Sequence, residues 1–164
     1  MKNARISQDF ELFVLLTQVG NAALKLRERE LRQSHLSVAQ AGILRLVRAI
    51  QDKATPAEIS RWTMREDHSV SGILDRMEKE GLVKRVADPN RKKGVRVALT
   101  GKGEQAYLEA SKLRGTMTSI FTGLSDEERK QLRSALIKVR EEALKELKVK
   151  YRPPLPSAAA GVSE

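Results

Sequence analysis

The sequence predicts a mainly helical α+β fold, in which three helices and a hairpin are carried between long helices at both ends of the chain. Three observations predict it. Capping boxes mark several helix starts, the apolar spacing switches from helical to alternating between residues 82 and 99, and apolar stripes near both ends are too long for one small core. A length of 164 residues with 40% hydrophobic and 32% charged content suits one folded unit on helical extensions rather than a disordered chain.

The first element reads as a helix over about 8–33, with Phe10, Phe13, Val14, Leu16, Thr17, Gly20, Leu24 and Leu31 near helical spacing. At about 1.5 Å per residue it spans roughly 39 Å, long enough to leave its own core and meet a partner. Ser37-Val-Ala-Gln40, Thr55-Pro-Ala-Glu58 and Ser125-Asp-Glu-Glu128 each match a capping box, and Pro56 suits a first helical turn. They start helices over about 38–51, 56–64 and 126–149. A further helix over about 68–80 stops at Gly81, a left-handed cap. Residues 82–86 and 95–99 read as strands, and 88–94 between them is turn chemistry with a basic tip. One helix is expected over 103–123, and the proline-rich 151–164 is expected to be a disordered tail.

Helix, helix, helix and hairpin across 38–100 is the order of a winged helix-turn-helix. In the helix over 68–80, Val70, Ile73, Leu74 and Met77 share one face and bind it to a core. The other side offers His68, Ser69, Ser71, Gly72, Asp75, Arg76 and Lys79, small and polar in its first turns, with Arg76 long enough to reach further. Such a surface suits base edges in a major groove, with Arg76 reaching a phosphate. The plainer reading is a solvated polar face. The hairpin favours the DNA reading: Lys84, Arg85, Arg91, Lys92, Lys93, Arg96 and Lys102 face only Asp88 in opposition, and Asp88 is placed to orient Arg91 across the turn. Ser37 and Thr55 cap helices and, on the same reading, reach phosphate, as does Arg65 in the turn before the recognition helix. A net charge of +10 agrees with a polyanionic partner without specifying a fold.

The stretches Leu74-Asp-Arg-Met-Glu-Lys-Glu-Gly-Leu-Val-Lys-Arg85, Asp88-Pro-Asn-Arg91 and Val97-Ala-Leu-Thr-Gly-Lys-Gly103 resemble the multiple-antibiotic-resistance regulator (MarR) family. The wing departs from the family pattern by one residue fewer before Arg91 and by Lys92 where a second arginine is usual. The resemblance implies a homodimer whose first and last helices interlock, with 1–36 and 103–150 forming the dimerisation region and 37–102 the winged domain. It implies a repressor on a pseudo-palindromic site, with half-site centres about 34–36 Å apart. It also implies an aromatic or phenolic effector between the dimer helices and the winged domain, where Phe13, Thr17, Ile43, Val47, Leu113 and Met117 are the lining candidates. For each of those six, ordinary core packing is the competing reading.

The sequence excludes other classes. Without cysteine there are no disulfides, zinc ribbons, iron–sulfur clusters or thiol sensors, and His35 and His68 alone make no metal site. Trp62 is expected in packing. No catalytic constellation and no phosphate-binding glycine loop is present, so neither an enzyme nor a cofactor is expected. No apolar run is long enough to cross a bilayer and the first residues have no signal core, so a cytoplasmic protein is expected. The competing function is a winged helix that binds protein and no longer reads DNA, for which the basic wing has no use.

Overall fold

The computed structural model describes residues 2–88 and 94–149, the side chains of 2–5 and of Met117 excepted. The wing-tip residues Arg91, Lys92 and Lys93 and the expected tail at 151–164 lie outside the described residues. The order is α1 (Lys2–Leu31), a 3-10 turn (Arg32–Ser34), α2 (Val38–Ile50), a second 3-10 turn (Gln51–Lys53), α3 (Pro56–Thr63), α4 (Asp67–Lys79), β1 (Val83–Ala87), β2 (Val95–Leu99), α5 (Gly101–Lys112), α6 (Gly115–Ser119) and α7 (Asp126–Glu146). This is the mainly α winged helix-turn-helix expected from the sequence.

The caps explain the starts. Ser37 and Ser125 form full capping boxes with Gln40 and Glu128. Thr55 forms half of one. Its hydroxyl accepts from Glu58 N–H at 3.2 Å, but its own N–H already donates to Lys53 O, and the Glu58 carboxylate pairs with Arg61 at 2.5 Å. A fourth cap is Thr100, whose hydroxyl accepts from Gly103 N–H at 3.0 Å and starts α5 at Gly101, two residues earlier than expected. Gly81 has φ +71° and ends the α4 segment as expected.

The hairpin is antiparallel, with Val83 opposite Leu99, Arg85 opposite Val97 and Ala87 opposite Val95. Val97 N–H also donates to Ala54 O at 2.8 Å, which fastens the hairpin to the segment between α2 and α3. Val83 and Val97 turn inward to a core that also holds Ile43, Leu44, Val47, Ile59, Val70, Leu74 and Met77, with Trp62 packed against it. Burying an aliphatic side chain of this size contributes about 1.5–3 kcal/mol. The core reaches past 37–102, for Leu31 and Leu36 join it from one side and Ala110 from the other, with Tyr107 and Leu113 against it.

The expected single helix over 103–123 is two. Leu113 leaves helical geometry at φ −81°, ψ 86°, α6 begins at Gly115, and glycine is a weak helix former. Ile6, Phe10, Phe13, Leu16, Val19 and Leu24 on α1 stand exposed in the single chain, as do Leu132, Leu136, Val139 and Leu147 towards the other end.

The approach of α5 to the turn after α4 is close. A Cβ at Gly103 would stand 1.9 Å from Leu82 O, a backbone atom. Gly103→Ala is therefore expected to lower the unfolding free energy by at least about 3 kcal/mol, since the backbone itself must shift. Urea denaturation followed by circular dichroism measures it.

Candidate nucleic-acid interface

Two short helices and a tight turn present the candidate surface. Pro56 at the start of α3 supplies the fixed φ of a first turn, and Ile59 packs α3 into the core. Met64 closes α3 in the left-handed region at φ 53°, and Arg65 N–H donates to Ser60 O at 3.1 Å. The chain then turns through Glu66 into α4. Val70, Ile73, Leu74 and Met77 are buried, so the opposite side of α4 is fixed outward by packing.

Of the predicted residues on that side, His68, Ser71, Gly72 and Arg76 are exposed and Ser69 is half-buried. A Cβ at Gly72 would meet no atom within 4 Å. Among the described residues nothing therefore requires a glycine there, although one inside a helix costs about 1 kcal/mol relative to alanine. Arg76 Nε donates back to Gly72 O at 3.3 Å, leaving the rest of its guanidinium on the open face. The acids of α4 are divided. Glu66 and Asp67 lie at its positive N-terminal end, whereas Asp75 and Glu78 are held by Arg85 at 2.6 and 2.5 Å. That pairing offsets negative charge beside Arg76 and the exposed Lys79.

Pairing also changes the reading of the wing. Arg85 is committed to α4. Arg96 Nη1 donates to the Asp52 carboxylate at 2.6 Å and to Asp52 O at 3.2 Å, with Asp88 3.9 Å from its Nε. Lys102 Nζ donates to Glu80 O at 2.8 Å. Three of the seven cations read as a basic arm thus brace the hairpin, and Lys84 is exposed. The sequence reading missed this because Asp52, Asp75 and Glu78 lie on other elements. Asp88 N–H donates to Gly94 O at 2.8 Å and closes the base of the wing.

Ser37 caps α2, Thr55 caps α3 and Arg65 lies in the turn between α3 and α4. Ser37 and Arg65 are exposed, and Thr55 is half-buried with its hydroxyl engaged as a cap. The five effector candidates whose side chains are described do not come together in one chain. Ile43 and Val47 are in the hydrophobic core, Leu113 packs against it, and Phe13 and Thr17 are exposed on α1, where the Thr17 hydroxyl donates to Phe13 O at 2.9 Å. The side chain of Met117 lies outside the described residues. A cavity of about 330 Å³ behind the wing, lined by Val47, Arg48, Asp52, Arg96 and Glu104 among others, includes Val47 alone of those five. Another, of about 440 Å³, is lined by Phe121, Leu132, Leu136 and Ile137 with Arg129, Arg133 and Arg140. Among the described residues no cluster of histidines and carboxylates is placed to hold a metal ion, and no helix is long and apolar enough to cross a membrane.

Residues 35–94 match the model of the MarR family. The match runs from the turn before α2 to the residue before β2. Similar solved structures extend the likeness beyond them. The organohalide-sensing transcriptional regulator RdhR, in its 2,4-dichlorophenol-bound form, is 28% identical with a TM-score of 0.80, over 91% of this chain and 89% of that one. A cysteine-to-serine mutant of MarR from E. coli, complexed with operator DNA, is 26% identical with a TM-score of 0.74, over 80% of this chain and 95% of that one. MepR from S. aureus, in a DNA complex, shares the fold at 21% identity and a TM-score of 0.72, over 79% and 94% of the two chains. None of the curated proteins matches the chain in sequence.

The brace between the wing and α4 titrates. Arg85 N–H donates to Glu78 Oε1 at 3.0 Å, and this bond, with the Arg85 guanidinium beside it, holds the Glu78 carboxyl below its ordinary value. A depressed carboxyl stabilises the fold fully above the ordinary value and loses that contribution as pH falls through the depressed one. The stability difference between wild type and Glu78→Gln is expected to be largest near about pH 7 and to close towards about pH 3. Urea unfolding at the two pH values reads it.

Proposed function

We propose that the chain is a homodimeric transcriptional regulator that reads double-stranded DNA, with the first turns of α4 in the major groove and the wing on the flanking backbone. The observation that carries the reading is the open face around Gly72: small, polar, fixed outward by the buried side of α4, and bearing a glycine that no contact among the described residues requires. Arg76 and Lys79 supply cationic reach beyond it, while Asp75 and Glu78 share the Arg85 guanidinium, which offsets part of their charge. Arg91, Lys92 and Lys93, with Arg65, Ser37 and Thr55, are the backbone contacts proposed around that centre. The E. coli MarR structure on operator DNA, similar at 26% identity, supports the same use of the fold.

The exposed apolar side chains of α1 and α7 support a second copy as the partner that covers them, and 1–36 with 103–150 as the region that does so. Repression by occupancy, with release by an aromatic or phenolic effector, is the proposed mode. RdhR with 2,4-dichlorophenol, at 28% identity over most of both chains, supports that ligand class. In the dimer, Phe13, Thr17, Leu113 and Met117 are the proposed lining, and Ile43 and Val47 the core behind it. A regulator of this kind works in the cytoplasm and needs no catalytic group.

Gly72→Ala separates fold from function. The substitution is expected to raise the unfolding free energy by about 0.5–1 kcal/mol through helix propensity. On a duplex that the wild-type chain binds, it is expected to weaken affinity about tenfold or more, because a methyl group enters the close contact. Fluorescence anisotropy on labelled duplex gives the second quantity. A stabilised variant with unchanged affinity would remove α4 from the interface.

A further inference from the structure

The chain passes twice between the winged unit and its outer helices, once from α1 into α2 and once from α5 into α6. A single crossing would swivel. Two crossings fastened to each other hold the outer helices at one angle, and two side chains of α1 fasten them here.

Arg27 Nη1 donates to Glu30 Oε2 at 2.5 Å and to Leu113 O, and Nη2 donates to Ala110 O at 3.3 Å. The two carbonyls belong to the end of α5, where helical partners run out. Glu30 Oε1 accepts from Thr116 N–H at 3.1 Å, one of the orphan donors of the first turn of α6. One ion pair therefore caps both sides of the break, the guanidinium on the carbonyl end and the carboxylate on the amide end. Both side chains are about 85% buried, at 15% and 14% exposure, so the pair is shielded from solvent. Gly115 leaves the space, since a Cβ there would stand 3.2 Å from Glu30 Oε1. Burial raises the Glu30 carboxyl, but Arg27 and Thr116 more than offset it and the net direction is down, as an engaged carboxylate requires. Leu31, the next residue, is fully buried in the winged core. The last turn of α1 is thus anchored in the winged unit, while its shaft carries the exposed apolar residues towards the partner.

We propose that Arg27 and Glu30 are positioning residues that set the angle between α1 and the winged unit, and through it the half-site spacing the dimer accepts. The second clause rests on the DNA-binding reading above; the first does not. Spacing tolerance follows because α1 is the lever between winged unit and partner, and a small rotation at residue 27 becomes a shift of several ångströms at residue 10, about 26 Å away along the helix.

The chain has no cysteine, so two can be introduced and labelled without interference. Spin labels at Gln18→Cys, on α1, and Lys53→Cys, before α3, in full-length chain diluted with unlabelled chain, report the intrachain distance by pulsed electron resonance. Wild type is expected to give one narrow distribution, and Arg27→Met and Glu30→Gln broader ones. In parallel, duplexes with half-sites moved apart by single base pairs are competed for binding. The wild-type preference for one spacing, about tenfold or more, is expected to fall below about threefold in the variants. Loss of thermal stability alone, with distances and spacing preference unchanged, overturns the proposal. If Arg27→Met does not fold, Glu30→Gln carries the same two readouts, for its amide oxygen still accepts from Thr116. If wild type binds no duplex, the DNA reading fails and the distance distributions alone decide whether the joint sets the angle.

Discussion

The rest of the structure depends on the crossing of α5 over the turn that follows α4. Gly103 lies so close to Leu82 O that only a glycine fits, and Thr100 beside it is bonded in both directions, its hydroxyl donating to Gly81 O at 2.5 Å and accepting from Gly103 N–H at 3.0 Å. Thr100 N–H donates to Leu82 O at 3.1 Å, and Leu82 N–H to Met77 O at 2.8 Å. Within a few residues of this crossing α4 ends, the hairpin begins and ends, and the helix that leads out of the winged unit starts. The direction of each is set against the others at this point.

From that knot the charges fall into two sets. Arg85 and Arg96 are spent inside, on Asp75, Glu78 and Asp52, and they hold the hairpin to α4 and to the turn before α3. Arg65, Arg76, Lys79 and Lys84 point outward. A net charge of +10 thus has a structural part and a part available to a polyanion, and the division follows which carboxylates lie within reach. An internally paired arginine positions the wing; it adds little to the attraction of a phosphate backbone.

Local chemistry was legible in the sequence and long-range chemistry was not. Ser37, Ser125, Pro56 and Gly81 act on residues within one turn, and each marks its boundary correctly. The buried face of α4 was equally legible, because four apolar residues at helical spacing leave no other way to pack. The break at Leu113 was not, for its caps come from Arg27 and Glu30, each 86 residues away from the group it satisfies. The same holds for the wing cations, whose partners lie on other elements. Ile43 and Val47 have the spacing of both a core stripe and a pocket wall, and the core holds them.

In the proposed function two copies of the winged helix read one two-fold-symmetric site. Selection from a random duplex library by the full-length chain at physiological salt tests it most directly. The expected result is enrichment of a near-palindrome whose half-site centres lie about one helical turn, 34–36 Å, apart. Uniform, salt-sensitive recovery of all sequences would contradict it, since phosphate attraction alone carries no sequence preference.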